Sequence, residues 1–286
     1  MPRSLEVRAY AKINLGLRIL GRRPDGFHEL RTVFQTISLA DRLTVTLQPG
    51  RGVDLELAGD DGGAGPQANL AARAAALAAE KFKLRGRIRL CLEKRIPVGA
   101  GLGGGSSDAA AVLRALARWA TPPPDVADLL PLAAELGSDV PAFLFGGTVL
   151  GLGRGEHVFP LPDLGGWHGI LALPPAGPWS AVSTVTAFQA WDRRHPRRRP
   201  TDSGLPLEND FEPALRSLSP AFADLRRALK ASGARWVGLT GSGAAFYGLF
   251  AAAPPARAAL ARLRDRGQVW PFRFVGRAAY RGNLDG

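Results

Sequence analysis

The stretch Pro97-Val-Gly-Ala-Gly-Leu-Gly-Gly-Gly-Ser-Ser107 puts five glycines into the seven positions from 99 to 105, between two patterned segments. Before it, residues 86–92 alternate apolar and polar side chains as a strand does. After it, Asp108-Ala-Ala-Ala-Val-Leu opens an alanine-rich helix predicted over 108–120. A loop of this kind lets the backbone approach a ligand with no Cβ in the way and can line successive N–H groups around an anion-sized hollow. It also ends at a helix N-terminus, where unpaired N–H groups and the macrodipole favour phosphate. Ser106 and Ser107 add hydroxyls suited to phosphate oxygens or a metal ion. Pro97, Val98, Gly99, Ala100, Gly101, Leu102, Gly103, Gly104, Gly105, Ser106 and Ser107 are therefore expected at a phosphate-bearing ligand.

Other phosphate loops fit less well. Gly99-x-Gly101-x-x-Gly104 matches the dinucleotide fingerprint in form, yet no second βαβ half is apparent and paired serines have no special use there. A Gly-Lys-Ser/Thr P-loop is absent, as are the His-Arg-Asp and Asp-Phe-Gly signatures of protein kinases.

Alternation predicts strands within 5–20, 30–47 and 53–57, then a turn at 59–67 and a helix over 69–82 with Asn69 near its start. A helix over 125–136 ends at Gly137, and the glycine-bearing segment 149–155 closes this half. The composition changes near residue 155, which divides the 286 residues into an expected 1–155 domain and a 156–286 domain. The second half reads as a strand at 169–173, helices at 184–191, 221–232 and 256–266, a strand–turn–strand unit around 238–250 and a last strand at 269–275. Strands and helices mix without strict βαβ alternation, so the fold class is α+β.

Composition narrows the role. With 46% hydrophobic and 22% charged residues the chain is globular. One cysteine, Cys91, rules out an internal disulfide framework and a zinc site of clustered cysteines, and suits a reducing, cytoplasmic home. The first twenty residues carry Arg8, Lys12 and Arg18 among their apolar positions, so no secretory core is expected, and no apolar run approaches a membrane span. A net charge of +12 admits nucleic acid as a partner, and Arg-His-Pro-Arg-Arg-Arg within 193–200 would be its contact. That run holds prolines and no aromatic for base stacking, so a solvated loop is the expectation. The charge is also lopsided: 32 of the 37 cations are arginine and only five are lysine, so each lysine, Lys12 above all, invites a specific use as a compact point charge.

Lys12 and Asn14 lie two apart on the first strand and so share a face. They can hold a phosphate and a hydroxyl, or simply sit at a strand edge. Pro24-Asp-Gly26 is a turn, followed by the aromatic–imidazole pair Phe27-His28. In Gly137-Ser-Asp-Val-Pro141, Asp139 follows a helix stop and precedes by two residues a proline that is expected to forbid helix continuation, a position open to a helix cap or to a reactive carboxylate. Leu239-Thr-Gly-Ser-Gly between two strands is a glycine turn.

Taken together these blocks resemble the GHMP kinase superfamily. The Gly-Gly-Gly-Ser-Ser-Asp form of the central loop, together with Phe27-His28, is similar to the branch whose substrate is the cytidine-diphosphate-linked polyol 4-diphosphocytidyl-2-C-methyl-D-erythritol. The resemblance implies a ribosomal-S5-like N-terminal domain, a ferredoxin-like C-terminal domain and ATP-dependent phosphorylation of a 2-hydroxyl in the non-mevalonate isoprenoid pathway. It implies Asp139 and Lys12 as catalytic residues, with the 97–107 loop, Asn69 and Lys94 at ATP. Asn14, Phe27, His28, Phe34, Thr184, Phe188, Thr240 and Gly241 would surround the substrate, and Mg²⁺ would meet Ser106 or Ser107. The family usually has Tyr where this chain has Phe27, which keeps the ring and loses the phenol oxygen. Asn209-Asp210 is also family-like, without a role that follows. Partners implied are small molecules, with no nucleic acid or membrane, in a monomer or homodimer. The alternatives are a GHMP kinase for mevalonate or homoserine, and an RNA-binding protein on an S5-like scaffold.

Overall fold

Two long alternating stretches at the N-terminus form one hairpin. Its strands are β1 (Arg3–Arg22) and β2 (His28–Gln48), antiparallel from Arg3↔Leu47 to Arg22↔His28. The computed structural model describes residues 2–60, 62–63, 65–175, 182–194 and 208–283, except for the side chains of Pro66 and Gln67. β1 does not run evenly along β2: the register shifts between Tyr10 and Lys12, between Asn14 and Leu17, and between Ile19 and Gly21. Such irregularities bend a strand and re-aim its side chains, and two of them bracket Lys12 and Asn14.

The order continues with β3 (Gly52–Ala58), α1 (Gly65–Ala68), α2 (Leu70–Lys81), β4 (Arg87–Glu93), α3 (Gly104–Ala117), α4 (Val126–Leu136), α5 (Val140–Phe145), β5 (Thr148–Gly153) and β6 (His157–Pro160). β3-β4-β2-β5-β6 form one sheet, with β1 also on β2; β3 and β4 are parallel and the other pairs antiparallel. One face is covered by helices. In α2 the buried residues are Ala71, Ala74, Ala75 and Ala78, a helical stripe of small side chains that lets α2 lie close against the alanines of α3.

The second half contains β7 (His168–Leu173), α6 (Thr184–Arg194), α7 (Glu212–Leu218), α8 (Pro220–Ala231), β8 (Trp236–Leu239), β9 (Phe246–Phe250), α9 (Ala253–Leu263), β10 (Gln268–Arg273) and α10 (Arg277–Gly282). Its antiparallel sheet has the order β10-β7-β9-β8. This is the expected α+β architecture of two sheets flanked by helices. The core of the second layer, built on Ile170, Leu171, Phe246 and Phe222, is continuous with Ala11, Ile13, Leu17, Ile96, Ala100 and Leu102 of the first. The glycine loop is thus walled in from both halves.

Several boundaries differ from expectation. α3 starts at Gly104, four residues before the predicted 108, so Gly104, Gly105 and both serines belong to its first turn. Pro141 does not block a helix; it stands at the start of α5, where a missing N–H costs nothing. β6 extends the first sheet past residue 155, and α10 returns to the first layer, where the Tyr280 hydroxyl donates to the Phe143 carbonyl and Asn283 bonds Arg8. We propose the division between layers in the linker 161–167 rather than at 155. Most of the basic run 193–200 lies outside the described residues. Among the described residues no helix is long and apolar enough to cross a membrane.

Candidate active site

A cleft of about 830 Å³ opens between the layers, walled by β1, the glycine loop, the first turn of α3, Asp139, α6 and the 241–243 turn. Lys12 lies at its floor. Its ammonium is 3.3 Å from Asp139 Oδ2 and donates to Asn14 Oδ1 at 2.8 Å, and it stands 5.3 Å from the centre of the Phe34 ring. The Lys12 side chain is only 5% exposed whereas Asp139 is 32% exposed, so the carboxylate faces the cleft with the cation behind it. Asp139 occupies the N-cap position of α5 but makes no side-chain capping hydrogen bond. Its carboxylate is committed to Lys12 and the cleft rather than to the helix.

Asn14 is 1% exposed and anchors this floor. Its Oδ1 also accepts the Gly241 N–H at 2.8 Å, and its Nδ2 donates to the Thr32 hydroxyl at 2.7 Å. The residue expected to hold a substrate hydroxyl is instead bonded on both ends of its amide to the protein, where it aims Lys12 and ties β1 to the C-terminal turn.

The glycine loop is held by packing as much as by ligand geometry. Gly101 has φ +75°, and a Cβ there would fall 2.2 Å from the Thr240 carbonyl oxygen. Gly103, φ +70°, would place one 2.9 Å from Phe143 and 3.2 Å from Lys12 Cε. Only glycine fits these left-handed, crowded positions. The Thr240 hydroxyl donates to the Gly101 carbonyl at 3.0 Å, and the Lys12 N–H donates to the Leu102 carbonyl at 3.0 Å. Thr240, fully buried, therefore braces the loop from behind instead of meeting substrate, while Gly241 reaches the cleft wall. Ala100 and Leu102 turn their side chains into the core, leaving their backbone to the loop.

The two serines separate. Ser106 lines the cleft, whereas Ser107 is fully buried and donates to the Tyr10 carbonyl at 2.7 Å. Of the pair expected at phosphate or metal, Ser106 is the one placed for it. Asn69 caps α2, its Oδ1 accepting the Ala71 N–H at 2.9 Å, and still borders the cleft.

Lys94 also borders the cleft, with its ammonium already paired. Its ammonium lies 2.5 Å from Asp41 Oδ2 and 2.7 Å from Asp108 Oδ2, under the first turn of α3. Asp41 Oδ1 also accepts the Arg95 and Ile96 N–H groups, which fixes the chain entering the loop. Burial pushes the Asp108 carboxyl up to about 8, opposed by the Lys94 charge and reinforced by that of Asp41. For Lys94 burial works the other way, but the two carboxylates outweigh it and the ammonium is held above its ordinary range.

At the far end of the cleft Phe27 is 54% exposed, an aromatic face turned to solvent beside the buried His28 ring. His28 stacks on Phe188 with centroids 4.3 Å apart and planes 13° from parallel, and Phe188 meets Phe211 edge-on at 4.8 Å. Thr184 starts α6 with its hydroxyl 3.2 Å from that of Ser242. Phe34, expected beside these rings, lies under the Lys12 ammonium, and a Cβ on Gly151 would meet it at 2.5 Å. Residues with no local sequence signal also reach the cleft. Arg154 sets its guanidinium 4.9 Å from the Phe27 ring centre, and Asp192 bonds His28. Asn209, fully engaged, donates to the Leu239 and Gly241 carbonyls and thereby shapes the 239–241 turn, while Asp210 accepts the Ile19 N–H.

The arrangement combines a carboxylate backed by a buried ammonium, a backbone-lined loop at the start of a fourteen-residue helix, and an aromatic–imidazole recess. That set can activate a hydroxyl, cradle phosphates and hold a flat ring.

Comparison with other proteins identifies the family and the fold. Residues 69–147 match the GHMP kinases N terminal domain and residues 196–269 the GHMP kinases C terminal domain. The chain is 44% identical over 265 residues to 4-diphosphocytidyl-2-C-methyl-D-erythritol kinase of Solibacter usitatus, covering 87% of this chain and 82% of that protein. It is 42% identical over 290 residues to the enzyme of that name from Thermus thermophilus, covering 93% and 95%. A crystal structure of 4-(cytidine 5'-diphospho)-2C-methyl-D-erythritol kinase superposes with a TM-score of 0.79 at 37% identity, over 96% of this chain and all of that one. The mevalonate kinase of L. major shares the fold, with a TM-score of 0.70 at 15% identity over 96% of each chain. The chain belongs to the GHMP kinases and, among them, to the family of 4-diphosphocytidyl-2-C-methyl-D-erythritol kinases.

Proposed function

We propose that this chain transfers the γ-phosphoryl group of ATP to the 2-hydroxyl of 4-diphosphocytidyl-2-C-methyl-D-erythritol. The observation that carries the reading is the Lys12–Asp139 pair, standing between the glycine loop and the Phe27/His28/Phe188 recess of one continuous cleft. The roles follow from the chemistry of each group. The ATP phosphates lie on the backbone N–H groups of the loop and the first turn of α3. The substrate oxygen bonds to the γ-phosphorus as the bond to the ADP oxygen breaks, and its proton passes to Asp139. The Lys12 ammonium, 3.3 Å from Asp139, offsets the charge gathering on the transferred group. Mg²⁺, when bound, would supply neutralisation of phosphate charge, and Ser106, on the cleft wall at the start of α3, would be the side chain to help hold it.

The cytosine end of the substrate meets Phe27 by its face and His28 by hydrogen bonding. Arg154, above Phe27 and next to Gly155 on the Asp139 side of the cleft, suits the diphosphate that links base to polyol. Mevalonate and homoserine have no base to occupy that recess. An ADP-release assay with the cytidine-linked polyol, mevalonate and homoserine in parallel tests the reading. Turnover confined to the cytidine-linked polyol is expected, and comparable turnover of either of the others would contradict it.

A further inference from the structure

Helix α6 carries Thr184, Phe188 and Asp192 at successive four-residue steps, so all three share one face, and all three line the cleft. Two of them act on the same ring. Phe188 stacks on His28, and Asp192 Oδ1 lies 2.8 Å from His28 Nε2. Trp191 closes a further side with its ring edge-on at 5.7 Å and 86°. The His28 side chain is 7% exposed, so the imidazole is fixed in both position and plane, while the Asp192 side chain is 41% exposed and keeps one flank in water.

A carboxylate only accepts hydrogen bonds, so the nitrogen facing it must carry the hydrogen. In the neutral imidazole this leaves Nδ1 bare, as an acceptor, and among the described residues nothing bonds to Nδ1. An acceptor at this point distinguishes pyrimidines. Cytosine presents an exocyclic amino group where uracil presents a carbonyl oxygen; the first can donate to a bare nitrogen and the second is repelled by it.

We propose that Asp192 is a positioning residue for base selectivity, holding His28 as the Nε2–H tautomer so that Nδ1 reads the amino group of an aminopyrimidine and rejects an oxopyrimidine. The inference rests on the cytidine-linked substrate reading but can fail separately from it. Without Asp192 the imidazole is free to take either tautomer, and a donor Nδ1–H would welcome the uracil carbonyl.

The test is calorimetric titration of the intact protein with cytidine diphosphate and uridine diphosphate, for the wild type, Asp192→Asn, Asp192→Ala and Asp192→Glu. The wild type should prefer the cytidine compound, and that preference should fall about 10- to 100-fold in the Asn and Ala variants, the range expected when a buried polar contact is mispaired. The Glu variant should recover most of it. Long-range ¹H–¹⁵N spectra of the wild type should show His28 protonated at Nε2, a signature that simple destabilisation would not produce. An unchanged cytidine-to-uridine ratio in Asp192→Asn, or His28 protonated at Nδ1 in the wild type, overturns the proposal. If the wild type prefers cytidine diphosphate but does not phosphorylate the cytidine-linked polyol, the reaction assignment fails and the base-selecting role of Asp192 stands.

Discussion

The Lys12 ammonium stands 3.3 Å behind the Asp139 carboxylate and is held there by the Asn14 amide oxygen at 2.8 Å. The lysine stem runs close under the loop, since a Cβ on Gly103 would fall 3.2 Å from Lys12 Cε, and a planar guanidinium would not reproduce the compact, rotatable ammonium at this point. Lys12→Arg keeps the charge and should still lower kcat about 10²- to 10³-fold, the usual cost of losing one preorganised electrostatic group. Steady-state kinetics at saturating ATP check this; a kcat within a few-fold of wild type would mean that charge alone suffices.

Gly101 makes the loop and the C-terminal turn a single unit. Gly101→Ala would set a methyl 2.2 Å from the Thr240 carbonyl oxygen at a φ of +75°. The expected loss is about 2 kcal/mol or more of unfolding free energy, with a raised KM for ATP because the loop must shift. Urea unfolding and ATP kinetics measure both, and a variant with wild-type values would separate the two loops.

Arg154 addresses the substrate end alone. Its guanidinium lies 4.9 Å from the centre of the Phe27 ring. Arg154→Ala should raise KM for the cytidine-linked substrate about tenfold, as loss of a charge-assisted contact does, and leave KM for ATP nearly as it was. Equal changes in both would contradict the assignment.

The Asp41–Lys94–Asp108 group makes stability depend on pH. Asp108 titrates at about 8 in the folded protein against an ordinary 3.8, chiefly through burial. A raised carboxyl means that the folded state holds a proton the unfolded state has released. Its contribution is complete below 3.8 and is lost as pH rises through about 8. Asp108→Asn, isosteric with the protonated acid, removes this dependence. Urea midpoints at about pH 5 and about pH 9 should converge in the variant and fall at the higher pH in the wild type; a variant that still loses stability on this interval would refute the account.

Much of this was legible in the sequence, for reasons that are local. The parity of Lys12 and Asn14 on β1 placed them on one face, and they touch. The alanine stripe, the helix stop at Gly137 and the strand–turn–strand around 238–250 are patterns set by near neighbours. What the pattern could not supply comes from contacts across the chain. Ser106 and Ser107 are equivalent in sequence, but a 100° step along α3 sends one to the cleft and the other to the Tyr10 carbonyl. Lys94 and Thr240 carry the right chemistry for ligands, yet Asp41, Asp108 and Gly101 claim them first. Arg154 stands between Gly153 and Gly155 and Asp192 inside a helix, neither in a motif that marks a ligand, and only the packing of β5 and α6 around the cleft brings them to Phe27 and His28. Pro141 misled because a helix-starting proline and a helix-breaking one look alike until the preceding turn is known.

The central claim is that Asp139, backed by Lys12, takes the proton of the cytidine-linked polyol as phosphate is transferred. Single-turnover phosphorylation of that substrate by Asp139→Asn, with both substrates saturating, tests it most directly. The rate should fall about 10²- to 10⁴-fold while ATP binding, followed by calorimetry, stays close to wild type. Phosphoryl transfer at the wild-type rate by that variant would contradict the account.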